Sequence, residues 1–188
     1  IIYFNTFTFS EAGLHLNYLT GVDPATGIDE ILKRYNNHEF KPSTSVRPSF
    51  GYSTQCLWLS LTVTNTTSLP VQWLLEYDYP LIDAITLYIP HDYSFTAIQT
   101  GDKLPFSYRQ FPYRTFVFPI VQKPGTITYF VRVQSQGSLV MPLKAWTLPA
   151  FEEMLNETLP FIWMHYGLMI ALFFYNLFLF ITVRDKSF

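Results

Sequence analysis

Apolar and polar residues alternate with a period of two along most of residues 1–150, and then the alternation stops. In Cys56–Asn65, Leu57, Leu59, Leu61 and Val63 face one way, while Trp58, Ser60, Thr62 and Thr64 face the other. Asp83–Ile89 sets Ile85, Leu87 and Ile89 against Thr86 and Tyr88. Thr126–Gln134 sets Ile127, Tyr129, Val131 and Val133 against Thr128, Phe130 and Arg132. Val71–Tyr77, Tyr93–Gln99, Thr115–Ile120 and Leu139–Trp146 complete the series. Neighbouring side chains of a strand point to opposite faces, so each segment predicts a strand. Pro or Gly interrupts the chain about every ten residues, the rhythm of an antiparallel β-sandwich. Pro90-His91-Asp92 predicts a hairpin turn. Ile28–Tyr35 has helical spacing, with Ile28, Ile31 and Leu32 on one side, and predicts a short helix capped at Thr26 across a sandwich edge. Phe40–Ser53, with Pro42, Pro48 and no period, predicts a loop.

Leu159–Val183 behaves differently: its 25 residues contain no Asp, Glu, Lys or Arg. A helix needs roughly 20 apolar residues to cross a bilayer, so this run predicts a transmembrane helix. Thr158 is placed to cap it and Pro160 to occupy its first turn. Arg184 and Lys186 follow the run, whereas Glu152, Glu153 and Glu157 precede it. The cytoplasmic side collects Lys and Arg, so residues 1–158 are expected outside. His165 and Asn176 share a helix face within roughly 20° at about 100° per residue, which favours packing against further helices or a second copy; the alternative is that both sit in interfacial zones. The organisation expected is a β-sandwich over 1–150, a stiff junction over 151–158 that is compatible with helix because Ala150–Asn156 has no Gly or Pro, a membrane helix over 159–183 and a cytoplasmic start at 184–188.

Composition narrows the function. The chain carries 12 Lys and Arg against 14 Asp and Glu, a mild negative balance that argues against a nucleic-acid partner. The single cysteine, Cys56, excludes an internal disulfide framework and reads as a small buried hydrophobe. A disulfide-free exterior domain points to a bacterial envelope. The chain starts without Met, so upstream sequence is expected to have been removed.

Several stretches carry a resemblance through their order. They are Trp58 to Asn65; Trp73-Leu74-Leu75-Glu76 leading to Pro80-Leu81-Ile82-Asp83; Ile85-Thr86-Leu87-Tyr88; Gly101 to Arg109; Tyr129 to Ser138; and Leu143-Lys144-Ala145-Trp146. Together they resemble the type-2 extracellular domain of bacterial seven-transmembrane receptors with diverse intracellular signalling modules. Tyr166-Gly167 and Tyr175 to Phe180, closing on Arg184 to Ser187, are similar to the first helix of that family's membrane unit. The resemblance covers roughly residues 14–188. It implies a jelly-roll sandwich akin to carbohydrate-binding modules, a periplasmic sensing role in the inner membrane, a seven-helix membrane unit, and a cytoplasmic output domain such as a histidine kinase or a diguanylate cyclase.

Sugars are held by aromatic faces under their C–H surfaces and by planar hydrogen-bonding groups at their hydroxyls. Gly101–Arg109 offers Asp102 as acceptor, Ser107 as hydroxyl and Arg109 as a fork of donors. Trp58, Tyr88 or Trp146 could supply the aromatic platform, and Arg132 could join from its strand face. The competing reading is structural: Asp102 and Arg109 pair to pin a long loop, the Trp residues pack the core, and Arg132 is solvated. Enzyme readings lack support. Glu76, Asp78 and Asp83 carry no accompanying acid signature, and no nucleophile elbow, zinc-protease pair or phosphate-cradling loop occurs. His15, His38, His91 and His165 are scattered, so no metal or cofactor is expected. The reading is an exterior ligand sensor; the alternative is a protein-interaction or dimerisation module without a small ligand.

Overall fold

A computed structural model describes residues 1–3, 9–52, 55–92 and 94–183. The chain divides into two compact units, Ile1–Leu148 and Pro149–Phe188. In the first, the strands are β1 (Ile2–Tyr3), β2 (Phe9–Glu11), β3 (Leu16–Val22), β4 (Lys41–Pro42), β5 (Ser49–Tyr52), β6 (Cys56–Asn65), β7 (Val71–Tyr77), β8 (Ala84–His91), β9 (Ser94–Thr100), β10 (Phe116–Gln122), β11 (Gly125–Gln134), β12 (Ser138–Val140) and β13 (Leu143–Thr147), with helix α1 at Ile28–Asn36. The larger sheet has the order β4-β3-β6-β11-β8-β9, with β1 parallel beside β6; the smaller has β10-β7-β13-β2, and β12 pairs β5. The protein is mainly β, with antiparallel sheets dominating.

The alternation read from sequence explains the main core. Leu57, Leu59, Leu61 and Val63 of β6, Tyr129, Val131 and Val133 of β11, and Ile85 and Leu87 of β8 share one cluster with Trp73, Leu75 and Tyr77 of β7, Phe116, Phe118 and Ile120 of β10, and Leu143 and Ala145 of β13. Burying each such side chain fully contributes about 1.5–3 kcal/mol. Gln122 ties polar groups together inside this packing: its Nε2 donates to the Val63 carbonyl at 2.9 Å, and its Oε1 accepts from Tyr129 Oη at 3.2 Å.

The opposite face of the larger sheet is only partly polar. Cys56, Trp58 and Phe130 form a second cluster with Val22 and Ile31, against which Leu32, Tyr35, Phe40 and Tyr88 pack. Helix α1 supplies the apolar stripe its spacing predicts, but it covers this face over the central strands β6 and β11 rather than lying across a sandwich edge. Cys56 is buried and free.

Five further expectations need correction. Pro90 and His91 belong to β8, paired with Phe95 and Ser94; the turn falls at Asp92, whose φ is 46°, and Tyr93 lies outside the described residues. Pro90 fits there because β11 pairs with β8 only as far as Tyr88. The N-cap of α1 is Gly27, without a side-chain bond, because Thr26 is held in a turn on the Asp23 carbonyl. The Phe40–Ser53 segment is not all loop: β4 and β5 form there, although Ser53 lies outside the described residues. Leu139–Trp146 is two strands in two sheets, divided at Met141-Pro142. Finally, the C-terminal helix α2 begins at Leu148 rather than at Thr158. Pro149 takes the first-turn position where proline is tolerated, and Glu152 to Leu155 are good helix formers. Thr158 and Pro160 are therefore internal, and Pro160 leaves the Asn156 carbonyl without its helical N–H.

In the second unit, α2 runs unbroken to Val183, 36 residues or about 54 Å at 1.5 Å per residue. Leu148–Thr182 is long and apolar enough to cross a membrane, with a mean hydropathy of 1.7 over its most apolar window and no residue of that window buried. Asn176 Nδ2 donates to the Leu172 carbonyl at 2.8 Å. Arg184 and Lys186, on which the orientation reading rests, lie outside the described residues.

Candidate functional site

Three strand ends and one loop meet at Asp83. This residue enters β8, whose pairing with β9 and β11 brings in Gln99 from one side and Gln134 from the other. Gly101 turns the chain after β9 so closely that an added Cβ would lie 2.1 Å from the Asp83 carbonyl oxygen, which only glycine permits. The Asp102 N–H then donates to the Ile82 carbonyl at 2.9 Å, extending the β8–β9 ladder and delivering Lys103 to the carboxylate.

Asp83 is fully engaged. Its Oδ2 accepts from Lys103 Nζ at 2.5 Å and from the Gln136 N–H at 3.1 Å, and its Oδ1 accepts from Ser135 Oγ at 3.3 Å. Donation by Lys103 holds its pKa below the usual carboxylate range, helped by the Gln136 and Ser135 bonds and opposed by desolvation. Around it opens a cleft of about 360 Å³, lined by Asp83, Ala84, Gln99, Lys103, Leu104, Gln134, Ser135 and Gln136. Among the described residues, the side-chain amides of exposed Gln99 and Gln136 have no protein partner. The arrangement offers planar amides and ammonium protons on a fixed carboxylate anchor, suited to a polar ligand with several hydroxyls.

None of the ligand-binding residues singled out in the sequence lines this cleft. Asp102 and Ser107 are exposed on its loop, Ser107 within a 3-10 turn at Phe106–Tyr108. Among the described residues, no ion pair joins Asp102 to Arg109. Instead, Arg109 Nη1 donates to the carbonyls of Tyr113 at 2.5 Å, Arg114 at 3.0 Å and Thr115 at 3.5 Å. Its guanidinium lies 4.8 Å from the Phe106 ring centroid and 4.6 Å from that of Phe116. Trp58 and Arg132 are direct cross-strand neighbours, and Tyr88 stacks on Trp58 at 5.2 Å. Trp58 is wholly buried. Arg132 Nη2 donates to the Pro24 carbonyl at 2.6 Å and approaches Gln134 Oε1 at 3.4 Å, so it touches one wall of the cleft. Trp146 belongs to the smaller sheet, where its Nε1 donates to Glu76 Oε2 at 2.8 Å.

Gln99, Gln134, Ser135 and Gln136 were not legible as a group, and Asp83 reads in sequence only as one of three nearby carboxylates, with Glu76 and Asp78, that lack an acid signature. A signal existed: polar residues end β9 and β11 where alternation would permit apolar ones. A second cleft, of about 470 Å³, opens beside β3 between Tyr18, Phe50, Tyr52, Lys41 and Gln55.

Residues 13–147 match the family described as 7TMR-DISM extracellular 2. The chain belongs to this family. The match ends at the last residue of β13, so it covers β3 to β13 and stops where α2 begins. No curated protein matches the chain. As a 7TMR-DISM extracellular 2 domain, the sandwich is an extracellular domain of a membrane receptor family, and α2 is the segment able to follow it into the bilayer.

Proposed function

We propose that this extracellular domain is the ligand-receiving part of a bacterial inner-membrane receptor, and that it binds carbohydrate in the Asp83 cleft. The observation that carries this reading is the convergence of Gln99, Gln134, Gln136 and Lys103 around a carboxylate already held by three donors. Vicinal hydroxyls both donate and accept, and amides answer both needs at one position. A pre-bonded anchor also lowers the ordering that binding demands. Bound ligand acts on the output only through differing affinity for two states of the membrane unit, carried by α2 and further helices to a cytoplasmic module of histidine kinase or diguanylate cyclase type. The second reading, a protein-contact module, is favoured by the outer edge of β9, which no described strand meets.

The test is a thermal-shift screen of the 188-residue chain in detergent against neutral and acidic mono- and disaccharides. At least one saccharide should raise the melting temperature, and Gln134→Ala should remove that rise without altering the unliganded transition. A flat response across the panel contradicts the reading. Sidedness is tested separately: Lys123→Cys in intact cells should react with a membrane-impermeant maleimide.

A further inference from the structure

We infer that β9 is a self-pairing edge through which two copies of this chain join their larger sheets into one. Strand β9 is the outermost strand of that sheet, beyond β8. Ser94–Thr100 pairs with Ile85–His91 without a register shift, so its outward N–H and C=O groups form a regular row that no described strand meets. Such rows template pairing unless something blunts them. The strands at the other ends of the two larger sheets are blunted. Strand β4 is two residues long and consists of Lys41 and Pro42, β2 has three residues, and Pro119 removes a donor from β10. Strand β9 has seven residues, no Lys, Arg, Asp, Glu, Pro or Gly, and leaves Ser94, Thr96, Ala97 and Gln99 exposed.

The partner that fits this edge is a second copy. Antiparallel pairing about a two-fold axis at Ala97 sets the strand against itself over its whole length: Thr96 opposite Ile98, Phe95 opposite Gln99, and Ser94 opposite Thr100. No like charges meet, and the smallest side chain of the strand sits on the axis. A foreign extended segment is selected by pockets or charges along the edge, and β9 carries no charge to select with. Pairing would also set Phe95 of the partner subunit beside Gln99, adding an aromatic face at the rim of each Asp83 cleft. The inference goes beyond the ligand reading and does not depend on it.

The test is oxidative cross-linking of the 188-residue chain in lipid nanodiscs. Residues facing each other across an antiparallel pair have Cα atoms about 4.5–5.5 Å apart, within disulfide reach. Ala97→Cys should therefore give a cross-linked dimer about tenfold above the exposed control Lys123→Cys, since only pairs within about 7 Å can bridge. Adding Thr96→Lys, at an exposed position where folding can be verified by the melting transition, should reduce that yield several-fold by placing like charges across the axis. Yield from Ala97→Cys no higher than from the control overturns the inference, whether the chain is then monomeric or associates through α2. So does a yield that Thr96→Lys leaves unchanged in a folded protein.

Discussion

Glu76 and Asp83 are both carboxylates of the sandwich, and their surroundings drive them in opposite directions. Glu76 lies on the outward side of β7, almost fully buried, and accepts from two neutral donors: Thr115 Oγ1 at 2.7 Å and Trp146 Nε1 at 2.8 Å. Burial is the largest influence on it and raises its pKa, against the lowering effect of those two bonds. Asp83 sits at a cleft wall beside an ammonium, and its pKa falls. The difference separates roles that look alike in sequence. A carboxylate sealed among neutral donors ties strands together; one held by Lys103 at an open cleft remains an ordered charge that a ligand can approach. Arg109 is linked to the first of them, because the segment it gathers, Tyr113 to Thr115, ends in the hydroxyl donor of Glu76.

The strongest way to break this contrast is Gly101→Val. A side chain there collides with the Asp83 backbone, so stability should drop on the order of 3 kcal/mol, measured by chemical denaturation, with the cleft lost and the surroundings of Glu76 intact. Glu76→Ala comes next. It removes the acceptor of Thr115 and Trp146 inside the protein, at a cost of about 2 kcal/mol in the same assay, and leaves the cleft standing. Arg109→Ala should cost about 1 kcal/mol, because the Tyr113 and Arg114 carbonyls lose a donor but can reach water.

The smallest effect is the most discriminating. In the window between the ordinary carboxyl pKa and its raised value, folded Glu76 holds a proton that the unfolded chain releases. Its contribution to stability is thus present at low pH and lost as pH rises through that window. Asp83 behaves oppositely: its contribution is present above the ordinary carboxyl pKa and disappears as pH falls through the lower folded value. In melting temperature against pH, Glu76→Gln should flatten the first limb and Lys103→Ala the second. A single variant that removes both limbs would show the two carboxylates to be coupled, contrary to the account.

Much of this architecture was legible from the chain alone. Leu57, Leu59, Leu61 and Val63 announce their face because period two is a local property, and α1 announces its stripe for the same reason. The start of α2 was misplaced because Pro149 and Pro160 both satisfy the first-turn rule, and only the helical character of residues 150–158 decides between them. The strand break at Met141-Pro142 was hidden because apolar residues continue through it. Asp102, Ser107 and Arg109 share the segment after β9 that also carries Lys103, yet the cleft itself is not local. Asp83, Gln99 and Gln134 become neighbours only through the registers of β8 with β9 and β11, which a period cannot specify.

The claim at the centre is that the Asp83 cleft receives a polyhydroxylated ligand, and side-chain amide NMR signals test it directly. On titration with a saccharide that stabilises the chain, the amide resonances of Gln99, Gln134 and Gln136 should move together and saturate with the thermal shift. If they stay fixed while Gln55, in the cleft beside Tyr18 and Tyr52, responds, the ligand binds elsewhere and the account of the Asp83 cleft is wrong.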